Sequence, residues 1–255
     1  MATLIFLVIC GAMFELLDLS QRKYSSESQI SGAFQETRLA IDQIVRDFNV
    51  SGYPARTVFS HLPTDTSKYA VAPLAWQPSY PATQCSIGTG GGGTCATPGD
   101  FDVIVETDLG QTSLGPGVLW IRYWLDGTTL YRSVVLKTNG GVPDDATTKG
   151  PDQAVPFLTN VMNNAQVALP AQFAQITAAY PTMFPGGVPQ PVFKYTCDTA
   201  TGPQPCPTAG ADGIPGNVRD VDITLIVMTR QPDLQTGLPK LVELTGRGHR
   251  VNPSN

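Results

Sequence analysis

Hydrophobic and polar positions divide the chain into an apolar start, a long helical stretch and a β-patterned remainder. Met1 to Phe14 carries no charge, and Leu4, Ile5, Phe6, Leu7, Val8 and Ile9 form an unbroken apolar run; charge begins at Glu15. Beyond it, Ile30, Phe34, Ile41, Ile44, Val45 and Phe48 recur largely at spacings of three, four and seven, which draws one apolar stripe along a helix. Glu15 to Phe48 contains no proline and a single glycine, Gly32. Asp42 and Arg46 stand in the favoured i, i+4 order, and Asn49-Val50-Ser51-Gly52-Tyr53-Pro54 ends the pattern. The spacing predicts one continuous helix, about 70 Å long at 1.5 Å per residue.

The two halves of that helix ask for different surroundings. Residues 1–19 are apolar all round, as lipid or a filament interior requires, with Met13 and Phe14 closing the uncharged run. Residues 20–50 are amphipathic and predict docking on a sheet through Ile30, Phe34, Ile41, Ile44, Val45 and Phe48. The 14 uncharged residues would cover only about 21 Å of a hydrocarbon layer about 30 Å thick. A span would need roughly six more apolar residues before Met1. No Lys or Arg precedes the run, which argues against a signal peptide.

After Pro54 the period changes. Short alternating segments separated by Gly and Pro clusters predict strands at Phe101–Thr107, Val118–Leu125, Leu130–Lys137, Pro191–Thr196, Val221–Thr229 and Leu241–Val251. Asp126-Gly127 marks a hairpin between the second and third. Leu119, Ile121, Tyr123 and Leu125 make a core face, while Trp120, Arg122 and Trp124 make an aromatic one suited to lie under a loop or a neighbouring subunit. Val221, Ile223, Leu225 and Val227 alternate with Asp222, Thr224 and the less polar Ile226. Pro156–Ala168 reads as a strand or a short helix. The fold class is therefore α+β, a long N-terminal apolar-then-amphipathic helix packed on an antiparallel sheet. Two regions are expected, the helix at 1–50 and a β-rich globular domain at 51–255.

Composition narrows the setting. The chain has 255 residues, 42% hydrophobic and only 15% charged, with 25 Gly and 22 Pro, the texture of a loop-rich exported β protein. A net charge of -5 on 16 basic residues offers no basic stripe for a phosphate backbone, so no nucleic-acid partner is expected. Cys85 with Cys95, and Cys197 with Cys206, bracket short polar loops and read as local disulfides outside the cytosol. Zinc ligands cluster at two- to four-residue intervals, which neither pair does. Cys10 lies in the apolar run as a small hydrophobe.

No catalytic constellation emerges. The two histidines, His61 in a Pro-rich loop and His249 near a strand end, read as surface residues, and no Gly-x-Ser-x-Gly, His-Glu-x-x-His or paired-carboxylate motif is present. Gly88 to Gly93 lacks the Gly-Lys-Ser/Thr ending of a phosphate loop. Asp212, Asn217, Asp220 and Asp222 could supply oxygen ligands to calcium, although Arg219 lies among them; otherwise they form a polar turn leading into a strand. No other cofactor is expected.

The runs Gly11-Ala12-Met13-Phe14-Glu15-Leu16-Leu17, Ser20-Gln21-Arg22-Lys23-Tyr24 and Thr37 to Phe48, followed by Gly52-Tyr53, resemble the N-terminal helix of PilW-like minor pilins and pseudopilins of the type IV pilin superfamily. The resemblance covers about a fifth of the chain. It implies a structural filament subunit and not an enzyme, held in the inner membrane before assembly and packed among other pilin subunits in an extracellular or periplasmic filament afterwards. Such proteins open with a basic leader, a cleavage-site Gly and a motif Glu; by resemblance, Met1 falls some seven residues into the mature helix, and Glu15 is not the motif Glu. A membrane-tethered periplasmic or extracellular binding or adhesin domain that never polymerises stays open as the alternative.

Overall fold

The computed structural model of the chain describes residues 2–52, 74, 98–107, 111–112, 115–137, 154–199, 201–206, 218–233 and 236–250. Helix α1 runs over Ala2–Asn49, as the unbroken periodicity and lack of proline require. The strands are β1 (Asp102–Thr107), β2 (Gln111–Thr112), β3 (Gly115–Pro116), β4 (Leu119–Asp126), β5 (Thr129–Leu136) and β6 (Ala154–Leu158). After them come helix α2 (Pro170–Ala179), then β7 (Phe193–Thr199), β8 (Gly202–Pro205), β9 (Val218–Met228) and β10 (Leu241–His249). The fold is α+β.

The strands form two four-stranded antiparallel sheets rather than one, in the orders β1-β4-β5-β6 and β10-β9-β7-β8, with β2 and β3 as a separate ribbon. The hairpin between β4 and β5 pairs Leu125 with Leu130 and Asp126 with Thr129. Its two central residues are therefore Gly127 and Thr128, one position later than the Asp-Gly reading, and Gly127 takes the positive φ of 58° that the turn needs.

One core joins the layers. Ala40, Ile41, Ile44 and Phe48 of α1 are buried with Ile121 and Tyr123 of the first sheet and with Phe193, Ile223 and Leu225 of the second. Each large side chain so buried contributes about 1.5–3 kcal/mol before conformational entropy is subtracted. The closest contact is to β10, where Gly246 and Gly248 face the helix. A Cβ at Gly246 would overlap Ile41, and one at Gly248 would come within 2.6 Å of Cβ of Phe48.

The segment that reads as a strand or a short helix contains the end of β6 and then turns. Its helical partner lies later, in α2, whose Phe173 and Ile176 are buried with Met162, Ala165, Phe184 and Ile226. Sheet β10-β9-β7-β8 is thus covered on both faces, by α1 over Leu225 and by α2 over Ile226. That accounts for the apolar residue on the otherwise polar side of β9. Asn163, fully buried, donates to the carbonyls of Gln190 (3.1 Å) and Thr224 (2.9 Å) and accepts from the amide of Ile226 (2.8 Å). Its side chain continues the β9 ladder where β7 stops.

Candidate functional site

The first half of α1 extends away from the core. Residues 11–25 are exposed throughout, among them Met13 at 65%, Phe14 at 70% and Leu16 at 67%. Phe6, Ile9, Leu17 and Leu19 are also exposed. The side chains of Leu4, Ile5, Leu7 and Val8 lie outside the described residues. So many exposed apolar side chains on one helix segment are unusual for a monomeric protein. Among the described residues no helix is long and apolar enough to cross a membrane, so the membrane-anchor expectation gains no support from α1.

The docking stripe is partly displaced. Ile41, Ile44 and Phe48 are buried and Val45 packs against the core, but Phe34 is 42% exposed and Ile30 only half-buried. Ala33, Thr37 and Ala40 take the sheet-facing positions instead. These residues fall at i, i+4 and i+7, so the contact face is rotated from the one drawn through Phe34, and small side chains let the helix approach the sheet.

Where α1 leaves the sheets, a groove of about 610 Å³ opens between it and the connection from β9 to β10. Leu19, Arg22, Lys23 and Ile30 line the helix side; Pro232 and Lys240 line the other. Gln29 clamps the two walls, donating to Oε1 of Gln231 (3.2 Å) and accepting from its amide (3.1 Å). Lys240 pairs with Asp233 at 2.9 Å, a contact whose hydrogen bond and charge pull its ammonium pKa up. Arg22 pairs with Asp18 on its own helix at 2.6 Å, whereas Lys23 and Glu27 stand 4.0 Å apart.

Three polar clusters brace the domain. In the first, the hydroxyl of Tyr123 donates to Asp47, Arg132 reaches the same carboxylate through Nη2 (2.9 Å), and Gln43 donates to its other oxygen (2.9 Å). Burial, and then the Asp47 charge, push the Tyr123 phenol far above its ordinary range. In the second, on the aromatic face of β4, Lys137 meets Glu106 at 2.9 Å with both groups buried, and the Trp120 indole donates to Glu106 (2.9 Å). Trp120 on that face is covered, at 1% exposed, whereas Trp124 farther along it is only partly buried.

The third cluster bears on calcium. Asp220 and Asp222 lie in β9. Arg247 donates to Asp220 at 2.8 Å and stands 3.5 Å from Asp222, while His249 Nδ1 shares a hydrogen bond with the second Asp220 oxygen. His249 lies exposed at the surface, as its sequence reading has it, and hydrogen-bonds Asp220 there. Asp212 and Asn217 lie outside the described residues, and among the described residues no group of three or more His, Cys, Asp and Glu could hold a metal ion. The two aspartates that are described face Arg247 across the strand pair, and the calcium candidate as a whole lies partly outside the described residues.

Cys197 and Cys206 form a disulfide across β7 and β8, with the Cys10 thiol free. Cys85 and Cys95, like His61 and Gly88 to Gly93, lie outside the described residues. No protein-family model, curated protein or solved structure matches the chain.

Proposed function

We propose that this chain is a structural subunit of a helical filament of the type IV pilus or pseudopilus kind, in the manner of a PilW-like minor pilin. The observation that carries the reading is the exposed apolar face of α1 from Phe6 to Leu19 with no partner among the described residues, on the same helix that packs into the domain core. In a filament those side chains pack among the helices of other copies. The Cys197 to Cys206 disulfide suits the oxidising side of the membrane on which such filaments form. In this reading the inner membrane holds the subunit before assembly through the same helix.

The test is to shear filaments from cells expressing the full natural chain, image them by electron microscopy and identify their subunits by mass spectrometry. Recovery of the chain in sedimenting fibres is the expected result. Its presence only in soluble or monomeric fractions sinks the proposal. Alkaline carbonate extraction of the unassembled pool tests the membrane step separately. The groove beside Lys240 gives the non-polymerising binding or adhesin domain its own support, and that alternative predicts a monomer that retains ligand or surface binding.

A further inference from the structure

The exposed apolar band and the groove are different patches of one molecule that meet at Leu19. An interface that joins two different patches of identical chains is heterologous and, unless its rotation closes a ring, propagates as an open helical array. We infer that the groove between α1 and the β9 to β10 connection receives the Phe14 to Leu19 segment of a second copy's α1, in parallel, with that copy's Glu15 meeting Lys23. This rests on the filament reading and specifies its contact.

Charge selects this register. Glu15 sits among the exposed apolar residues Phe14, Leu16 and Leu17 and makes no ion pair among the described residues. Packing that band against another helix would desolvate the carboxylate, so a cation must accompany it. The groove supplies one. Arg22 is held by Asp18 and Lys240 by Asp233, but Lys23 has only its loose contact with Glu27 and is highly exposed. Leu19, Ile30 and Pro232 in the groove offer apolar surface to the incoming Leu16 and Leu17. Bringing residue 15 level with residue 23 staggers the two helices by eight positions, about 12 Å along the axis at 1.5 Å per residue.

The experiment uses the full chain and two independent readouts. Glu15→Lys and Lys23→Glu should each reduce sedimentable assembly at least about tenfold, because each leaves like charges facing at the contact. The double exchange should restore most of the loss. In a Cys10→Ala background, Gly11→Cys with Leu19→Cys, each one turn before Glu15 and Lys23 on the same helix face, should give a ladder of oxidised multimers, and either substitution alone should give no more than dimers. If the parent assembles while both reversals assemble equally well and no ladder forms, the docking register is wrong and the filament reading stands. If the parent does not assemble, the filament reading fails and takes this contact with it.

Discussion

The hydroxyl of Tyr123, at the centre of β4, donates a hydrogen bond to the carboxylate of Asp47 on the last turn of α1. Arg132 and Gln43 complete the carboxylate's partners, so one buried group ties α1 to the first sheet. Replacing Asp47 by Ala leaves Arg132 and the phenol without their acceptor, and breaking a buried pair in this way costs about 3 kcal/mol. Chemical denaturation should show that loss for Asp47→Ala, while Asp42→Ala, exposed on the same helix, should stay within about 0.5 kcal/mol of the parent. Equal effects at the two sites would remove the network from any role in holding the helix.

The same phenol makes the fold sensitive to alkali. Tyr123 is raised by burial and then by Asp47, and Tyr195 by burial and then by the nearby Asp102 and Asp100. In the unfolded chain both titrate at the ordinary value of about 10. The unfolded state therefore loses protons first as pH climbs, so stability is fully present below about pH 10 and declines above it. Unfolding free energies measured across that range should fall more gently for Tyr123→Phe than for the parent. Parallel profiles would show that the phenol is not desolvated in solution.

Gly246 and Gly248 set how close α1 can come. With Ile41 and Phe48 directly over them, an added methyl has nowhere to go, and overpacking of this kind costs about 1–3 kcal/mol. Gly248→Ala and Gly246→Ala should each lower stability by that amount. Gly32 is the internal control, since a Cβ there meets nothing within 4 Å, and Gly32→Ala should stabilise the helix by about 0.5–1 kcal/mol. A neutral Gly248→Ala would mean that the helix can lift from β10 without loss.

These cases show where sequence reading reached and where it stopped. The α1 helix was legible because its apolar spacing and the absence of proline persist over many turns. The strands β4 and β9 were legible from alternation, and β1, β5 and β10 from short apolar segments between Gly and Pro clusters, but the second covered face of β9 under α2 was not. Nothing local tells that Gly246 faces a helix or that Asp47 meets Tyr123, because both depend on contacts between distant segments. Phe34 keeps the helical spacing yet lies 42% exposed off the contact face, because an apolar residue at that spacing looks the same whether or not a sheet lies beneath it. Helix α2 escaped because its buried face comprises little more than Phe173 and Ile176, too short a pattern to fix a period.

Asn163 is a second such distant contact, and a testable one. Its side chain satisfies the amide of Ile226 and the carbonyl of Thr224 in the interior of β9. Asn163→Ala leaves a buried donor unpaired, for which about 1–3 kcal/mol is expected. Hydrogen exchange at the Ile226 amide should accelerate in the variant beyond the change explained by its global stability. Unchanged exchange would indicate that another acceptor takes over.

The disulfide between Cys197 and Cys206 closes β7 onto β8, the edge strand of its sheet. Cys197 is fully buried in the main core, whereas Cys206 packs at its margin. The cross-link restricts the unfolded chain over a sequence separation of nine residues, which by the chain-entropy estimate contributes about 2–3 kcal/mol. Reduction should therefore lower the unfolding midpoint by several degrees. Cys206→Ala should reproduce the effect without reductant, since β8 then depends on its four-residue pairing with β7 alone. Protease nicking confined to 199–206 in the variant would place the loss at the hairpin. A reduced protein as stable as the oxidised one would overturn the stabilising role of the bond and, with it, the argument that export to an oxidising compartment matters for this domain.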